Sequence, residues 1–216
     1  LADGLGKAIQ SGDEFAQAAA QDLLPLIAQA LVLAMKFDAV VANPPYMGSK
    51  YITPALKTYI RDKYKGFDKD LFSAFLHKCC HYGKHGSQIA AVTPFTWMFI
   101  SSFENIRRFL FESKSVTSLV KPSYTAFFDS AIVSLVAFTI QNNANLVKGH
   151  YFDLGYLGAS ELQPRLFTES IGSTKSSLRH IASYEDFNKL PGSPLAFWMS
   201  DNMRKTFVEG RPISAY

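Results

Sequence analysis

Residues 37–46 read Phe-Asp-Ala-Val-Val-Ala-Asn-Pro-Pro-Tyr, and this stretch decides the fold. Its first six residues are mostly apolar and predict a short buried strand. Two successive prolines cannot continue a ladder of backbone hydrogen bonds, so residues 43–46 are predicted to form a loop at the carboxyl end of that strand. Ligands of open α/β sheets bind outside the carboxyl ends of the strands, which makes this loop the candidate site.

Helix and strand patterns alternate on both sides of this strand. Residues 13–35 are rich in Ala, Leu and Gln behind a capping Asp13, and their second half is apolar nearly all round, which predicts a buried helix. Further helices are predicted over residues 53–64, 70–82 and 101–112. The last of these begins with a capping box from Ser101 to Glu104. Further strands are predicted over residues 88–92, 116–120, 131–140 and 151–157. This order predicts an α/β sheet with helices on its faces.

Composition excludes several classes of protein. With 216 residues, 48% of them hydrophobic and 19% charged, the chain is neither disordered, nor collagen-like, nor of low complexity. Cys79 and Cys80 are adjacent and cannot staple distant segments, so a cytoplasmic location is expected. The longest apolar run, residues 23–35, is broken by Pro25 and Gln29, and we expect it to be too short to cross a membrane.

Charge is distributed unevenly along the chain. Residues 1–42 carry a formal charge of −3 and the remainder +7, which is compatible with a polyanionic partner. Two groups of basic residues are candidates for phosphate contacts: Lys57, Arg61, Lys63, Lys65 and Lys69 near the loop, and Arg107, Arg108, Lys114 and Lys121 further on. A solvated helix face explains either group equally well.

The loop has the chemistry to hold a planar amine. The side-chain oxygen of Asn43 and the backbone oxygen of Pro44 could each accept a hydrogen bond from such an amine, at about 2.7–3.2 Å. Two acceptors draw the nitrogen toward tetrahedral geometry and free its lone pair, while the prolines preorganise the backbone. Tyr46 would stack on the flat substrate. A plain turn with a surface tyrosine is the alternative.

This loop with its strand resembles the catalytic loop of γ-order N6-adenine DNA methyltransferases. Four longer blocks are similar to the PglX-type methyltransferases of BREX phage-defence systems, which are related to type II restriction–modification methylases: residues 40–50, 69–73, 93–102 and 191–198. The resemblance covers residues 37–198. It implies site-specific methylation of adenine N6 in phage defence or restriction–modification.

The resemblance assigns roles to individual residues. Asn43 and Pro44 would accept hydrogen bonds from the adenine N6, Pro45 would complete the motif, and Tyr46 would stack on the base after it is flipped out of the duplex. Phe128 would be the second stacking residue, although Phe127 and Phe128 are also plausible core residues. Asp70 lies near the site in this family, but helix capping explains it equally well.

The resemblance also implies a methyl donor, S-adenosylmethionine, bound by a glycine-rich loop that we do not find. Gly4 and Gly6 are too close to the catalytic strand, and the segment around Gly155 has the wrong spacing. We therefore expect a Rossmann-like methyltransferase fold that is partial and holds the second half of the sheet. The predicted parts are a helical lead-in (1–36), the catalytic half (37–158) and an irregular extension toward a target-recognition region (159–216). Such a fragment is expected to be inactive alone.

Partners and rival functions follow from the same resemblance. Double-stranded DNA is the expected partner, other defence-system subunits are possible, and the strand at residues 38–42 is expected to leave a bare edge through which copies associate. The rival functions are methylation of a protein glutamine or an RNA base, and a non-catalytic DNA-binding or assembly module. His77, His81 and His85 flank the two cysteines, but we expect them to be structural and expect no metal.

Overall fold

A computed structural model of the chain describes residues 2–124, 134–144, 148–157 and 160–210. The chain forms two compact units, Leu1–Phe37 and Asp38–Tyr216. The helices are α1 (Ala2–Ile9), α2 (Glu14–Ala34), α3 (Pro54–Lys63), α4 (Leu71–Tyr82), α5 (Glu104–Ser113), α6 (Gln163–Gly172), α7 (Tyr184–Asn188) and α8 (Asp201–Glu209). The strands are β1 (Phe37–Ala42), β2 (Gly83–Pro94), β3 (Ser115–Lys121), β4 (Leu135–Gln141), β5 (Gly149–Asp153) and β6 (Arg179–Ala182).

In the first unit, α2 is the predicted helix, and its cap is the predicted one. The Asp13 carboxylate accepts hydrogen bonds from the backbone N–H groups of Phe15 and Ala16, at 2.9 and 3.2 Å. The prediction that this helix is buried is wrong, since Leu31 and Leu33 are 58% and 64% exposed. A helix that is apolar all round needs neighbours on every side. Among the described residues of this unit, only the eight-residue α1 is available to cover it.

The length of α2 also corrects an expectation. As a whole the helix has 21 residues and is long and apolar enough to cross a membrane, judged by length and composition alone. Core helices of soluble proteins and signal sequences pass the same test. The apolar run at residues 23–35 is only part of the apolar segment, because the alanine-rich turns before that run extend it. The length expected from the run alone was therefore too short.

The second unit contains one six-stranded sheet in the order β1-β2-β4-β3-β5-β6. Strand β4 is antiparallel to both β2 and β3, β3 is parallel to β5, and β6 is antiparallel to β5. The core lies where the central strands meet the helices and is built from Ile89, Leu119, Val136, Phe138, Trp97, Ile106 and Leu110. This arrangement confirms the predicted α/β class and places β1 at an edge of the sheet.

Several predicted boundaries shift. Strand β2 begins at Gly83 because the chain passes from α4 directly into the strand, with Gly86 at φ +77°. The predicted capping box at Ser101 is wrong: Ser101 lies in a short 3-10 helix, and α5 begins at Glu104 without a side-chain cap. Strand β5 ends at Asp153, short of the predicted residues 151–157. Residues 131–133 of the fourth predicted strand lie outside the described part of the chain.

The stretch after residue 158 is more regular than expected. It contains α6, β6, α7 and α8, and Leu195 and Phe197 are buried in the core. Arg107, a candidate for phosphate contact, ties this stretch to the sheet: it is 1% exposed, and its side chain donates to the carbonyls of Trp97 and Gly192 at 2.8 and 2.9 Å. The prediction for Arg107 is therefore wrong.

The division into lead-in, catalytic half and extension is a functional one and stays a prediction.

Candidate active site

The loop at residues 43–46, named the catalytic loop here for its predicted role, directly follows β1, as predicted. Pro44 is buried and Tyr46 is half-buried, whereas Asn43 and Pro45 are exposed. The strand before it is less buried than expected, with Val41 81% exposed. The loop thus has a buried anchor and an exposed amide side chain, which a substrate can reach.

Tyr46 connects the catalytic loop to the sheet. Its ring packs against the main core. Its hydroxyl donates to the side-chain oxygen of Asn43 at 2.7 Å and lies 3.2 Å from the backbone oxygen of Val92 on β2. Burial raises the pKa of the Tyr46 phenol above its ordinary value, so the hydroxyl stays protonated and remains a donor at neutral pH.

Asp70 holds the chain immediately after the catalytic loop. Its Oδ1 accepts hydrogen bonds from the backbone N–H of Met47 at 3.0 Å and from that of Phe72 at 3.2 Å. In return the backbone N–H of Leu71 donates to the Met47 carbonyl at 3.0 Å. Asp70 therefore caps α4 and clamps the chain after the loop with the same oxygen. The capping prediction is confirmed, and a role of Asp70 in the site stays a prediction. The clamp depends on a contact over 23 positions in sequence, which no local pattern reveals.

A basic cleft of about 660 Å³ lies next to this clamp. We use the name for the space lined by Arg61, Lys65, Gly66, Phe67, Asp68, Lys69, Asn105, Arg108, Phe109 and Glu112. Lys69 precedes Asp70, and its carbonyl accepts from the Ser49 N–H at 3.2 Å, which joins the cleft to the catalytic loop. The structure thus brings together Arg61, Lys65 and Lys69 from the first predicted basic group with Arg108 from the second.

Lys121, also predicted to contact phosphate, is engaged elsewhere. Its ammonium group lies 3.2 Å from the Asp153 carboxylate, and the two side chains are 19% and 4% exposed. The backbone N–H of Gly155 donates to the same carboxylate at 2.9 Å. The segment around Gly155, considered above as a possible glycine-rich cofactor loop, is therefore a structural turn beside the Lys121–Asp153 ion pair.

The histidines and cysteines of α4 do not form a ligand set. Cys79 and Cys80 are buried free thiols, and burial raises the pKa of Cys80 to about 12. The His77 ring lies 4.7 Å from the Phe67 ring and 5.2 Å from the Phe109 ring, centroid to centroid. Among the described residues, no group of three or more His, Cys, Asp or Glu side chains is arranged to hold a metal ion.

Two further sequence candidates need placing. Gly4 and Gly6 lie inside α1, so they do not form a loop that follows a strand. Phe127 and Phe128, the candidates for the second stacking residue, lie outside the described residues, and the role of Phe128 stays a prediction.

Comparison with known proteins places this arrangement in a family. The sequence profile described as Eco57I restriction-modification methylase matches residues 3–128. The chain belongs to the Eco57I restriction-modification methylase family. Its relative BrxX, an adenine-specific methyltransferase of Escherichia coli O9:H4 (strain HS), is 33% identical over 201 residues, which are 92% of this chain and 16% of BrxX. PglX, an adenine-specific methyltransferase of Lacticaseibacillus casei (strain Zhang), is 27% identical over 83% of this chain and 15% of PglX.

The fold agrees with this membership. The methyltransferase subunit of a type I restriction–modification system from Streptococcus thermophilus superposes with a TM-score of 0.54 at 18% identity, over 76% of this chain and 38% of that subunit. The resemblance to PglX-type methylases is therefore confirmed, and the chain has a partial Rossmann-like methyltransferase fold. It spans about a sixth of the length of its curated relatives.

Proposed function

We propose that this chain is the catalytic segment of a DNA methyltransferase that methylates adenine N6 in a phage-defence or restriction–modification system. The observation that carries the proposal is the catalytic loop itself: an exposed Asn43 amide oxygen at the end of an edge strand, backed by buried Pro44 and clamped through Asp70. The names of BrxX and PglX support adenine as the target base.

The residues of the loop account for activation of the amine. The Asn43 side-chain oxygen and the Pro44 carbonyl each accept one N6–H, which localises the lone pair on nitrogen. The Tyr46 ring stacks on the flipped base and offsets part of the cost of unstacking it, which is a few kcal/mol. A methylated N6 carries one proton fewer, which water can accept, so no residue of the loop has to act as a strong base.

S-adenosylmethionine is the methyl donor that the family and fold imply, and when bound it supplies an electrophilic methyl group on sulfur. The described residues do not offer the glycine-rich loop expected for it, since Gly4 and Gly6 are helical. The described part of the chain therefore does not supply this loop of the cofactor site. The 216-residue chain alone is expected to show no micromolar S-adenosylmethionine binding by calorimetry, and measurable binding would contradict that expectation.

The basic cleft supports DNA as the substrate rather than a protein glutamine. Three of its cations, Arg61, Lys69 and Arg108, lie 3.3–3.7 Å from neighbouring carboxylates in pairs that are largely exposed. Exposed pairs of this kind contribute little energy, so a phosphate can displace the carboxylate at small cost. Lys65 adds a fourth cation to the lining of the cleft. A duplex whose base enters the catalytic loop can therefore rest its backbone on this cleft.

The edge position of β1 supports a protein partner. Strand β1 pairs only with β2 within the described sheet, and Val41 is 81% exposed. An open edge is a template for pairing with another chain. We expect a second copy or another subunit of the defence system to cover it in the cytoplasm. Sedimentation velocity of the isolated chain tests self-association, and a monomer at all concentrations would contradict it.

Methyl transfer tests the proposed function. The full-length protein is incubated with tritiated S-adenosylmethionine and with DNA, RNA or protein. Label is expected in DNA only, and Asn43→Ala and Tyr46→Ala are expected to abolish it. The matched control is Asn202→Ala, at an exposed asparagine of α8, which should leave transfer unchanged. Label in RNA or protein would favour the other methyltransferases, and DNA binding without methylation would favour a non-catalytic module.

A further inference from the structure

The Tyr46 hydroxyl makes a contact that stacking does not require. A phenyl ring is enough to stack on a base, yet this hydroxyl lies 2.7 Å from the Asn43 Oδ1 and 3.2 Å from the Val92 carbonyl. A phenol has one proton to donate, and the shorter distance assigns it to Asn43. The hydroxyl therefore acts on the side chain that is proposed to receive the substrate amine.

The Asn43 side chain has an orientation problem that this contact solves. A carboxamide ends in an oxygen that accepts and a nitrogen that donates, and the two ends have nearly the same shape. Only the oxygen can accept an N6–H of adenine. Because Asn43 is exposed, water by itself can satisfy either orientation of the amide. A donor fixed by the core, such as the Tyr46 hydroxyl, favours one orientation over the other.

We propose that the Tyr46 hydroxyl is a positioning group that fixes which end of the Asn43 amide is presented to the amine. The inference rests on the proposed function and adds to it a role for the hydroxyl that is separate from stacking by the ring. A carboxamide oxygen can accept two hydrogen bonds, so one acceptor position stays available after Tyr46 has donated. The hydroxyl lowers the cost of ordering Asn43 before the base arrives.

A pair of isosteric substitutions tests the inference in the full-length enzyme. Tyr46→Phe keeps the ring and removes only the hydroxyl, so kcat is expected to fall about tenfold, the loss of one hydrogen bond, while KM for DNA changes less than about twofold. Asn43→Asp replaces the amide by a carboxylate whose two oxygens are equivalent, so no orientation remains to be fixed. Adding Tyr46→Phe to Asn43→Asp is therefore expected to lower kcat less than about twofold.

Three kinetic results would overturn the inference. They are an unchanged kcat in Tyr46→Phe, a rise in KM that accounts for its whole defect, and the same tenfold loss in the Asn43→Asp background. The last result would mean that the hydroxyl acts through Val92 or another group. Failure of the proposed function is a different result: the wild-type enzyme would then transfer no methyl group to DNA. The comparison of variants does not decide that point.

A titration of the 216-residue chain decides the question if Asn43→Asp is inactive. The phenol of Tyr46 is followed by carbon-13 NMR of its Cζ atom. A carboxylate within hydrogen-bond distance disfavours ionisation of the phenol, so Asn43→Asp is expected to raise the pKa of Tyr46, and Asn43→Ala is not. Equal pKa values in these two variants would show that the hydroxyl does not contact position 43 and would overturn the inference.

Discussion

Helix α4 has one reactive side chain at its N-cap and several in its second half, and of these regions only the N-cap holds the candidate site. At the N-terminal end, Asp70 accepts backbone hydrogen bonds and holds Met47, directly after the loop that carries the exposed Asn43. In the second half, Cys80 is buried and His77 lies among aromatic rings. The difference teaches that a residue type able to do chemistry indicates a site only where its polar atoms have backbone partners beside an exposed loop.

Electrostatics separates the same two regions. Burial raises the pKa of Asp70, but hydrogen bonds from the N–H groups of Phe72, Met47 and Leu71 oppose that rise and favour the carboxylate. Burial lowers the pKa of His77, with further lowering from His81, Lys114 and Lys78. The Nδ1 atom of His77 is buried without a hydrogen-bond partner. Burial therefore disfavours charge in both regions, but only around Asp70 do backbone hydrogen bonds offset part of that effect.

Removal of the clamp is expected to have the largest effect. In the full-length enzyme, Asp70→Ala should lower methyl transfer about 10- to 100-fold, because the catalytic loop loses its anchor and small displacements are costly in catalysis. It should also lower the free energy of unfolding by about 1 kcal/mol through loss of the cap. Asp13→Ala is the matched control, since the Asp13 carboxylate caps α2 by accepting from the Phe15 and Ala16 N–H groups. An equal loss of activity in both variants would refute the clamp.

Neutralising the basic cleft is expected to have the next largest effect. The double variant Lys65→Ala with Lys69→Ala should weaken binding to any duplex and lower the slope of log Kd against log salt by about 0.9 for each lysine. Fluorescence anisotropy with labelled DNA measures this. The control is Lys175→Ala with Lys205→Ala, which removes two exposed lysines far along the sequence. If the control lowers the slope as much, binding is not local to the cleft.

The aromatic surroundings of His77 predict a smaller, pH-dependent effect. Since the pKa of His77 is lower in the folded than in the unfolded chain, the unfolded chain binds more protons, and stability falls as pH drops below about 6.5. His180, whose pKa burial also lowers, adds to the same trend. Urea unfolding between pH 7.5 and 5 should show a weaker pH dependence for His77→Phe than for the wild type. If the free energy of unfolding of His77→Phe depends on pH as strongly as that of the wild type, groups other than His77 cause the dependence.

The thiols are expected to show no effect on activity. Because burial raises the pKa of both Cys79 and Cys80, neither should react with iodoacetamide at pH 8 in the folded protein, and both should react after unfolding. Intact-mass spectrometry counts the modified thiols. Rapid alkylation of the native protein with loss of methyl transfer would contradict this prediction and would show that the second half of α4 contributes to the site.

Local sequence predicted the elements whose signals are local. The strand at residues 37–42, the loop after it and the cap at Asp13 all depend on neighbouring residues, and all are present. Contacts between distant segments were not predictable: the Asp70 clamp, the tie from Arg107 to Gly192, and the exposure of α2. Arg107 stands between Ile106 and Arg108, and its sequence gives no sign that it is buried until the carbonyls around it are known.

Nucleoside analysis of modified DNA tests the central claim most directly. DNA incubated with the full-length protein and S-adenosylmethionine is digested to nucleosides and analysed by mass spectrometry. The account predicts N6-methyldeoxyadenosine with the wild type and none with Asn43→Ala. The loop would hold the exocyclic amine of cytosine by the same two acceptors, so N4-methyldeoxycytidine as the product would contradict the assignment to adenine. N6-methyldeoxyadenosine formed equally by Asn43→Ala would contradict the site.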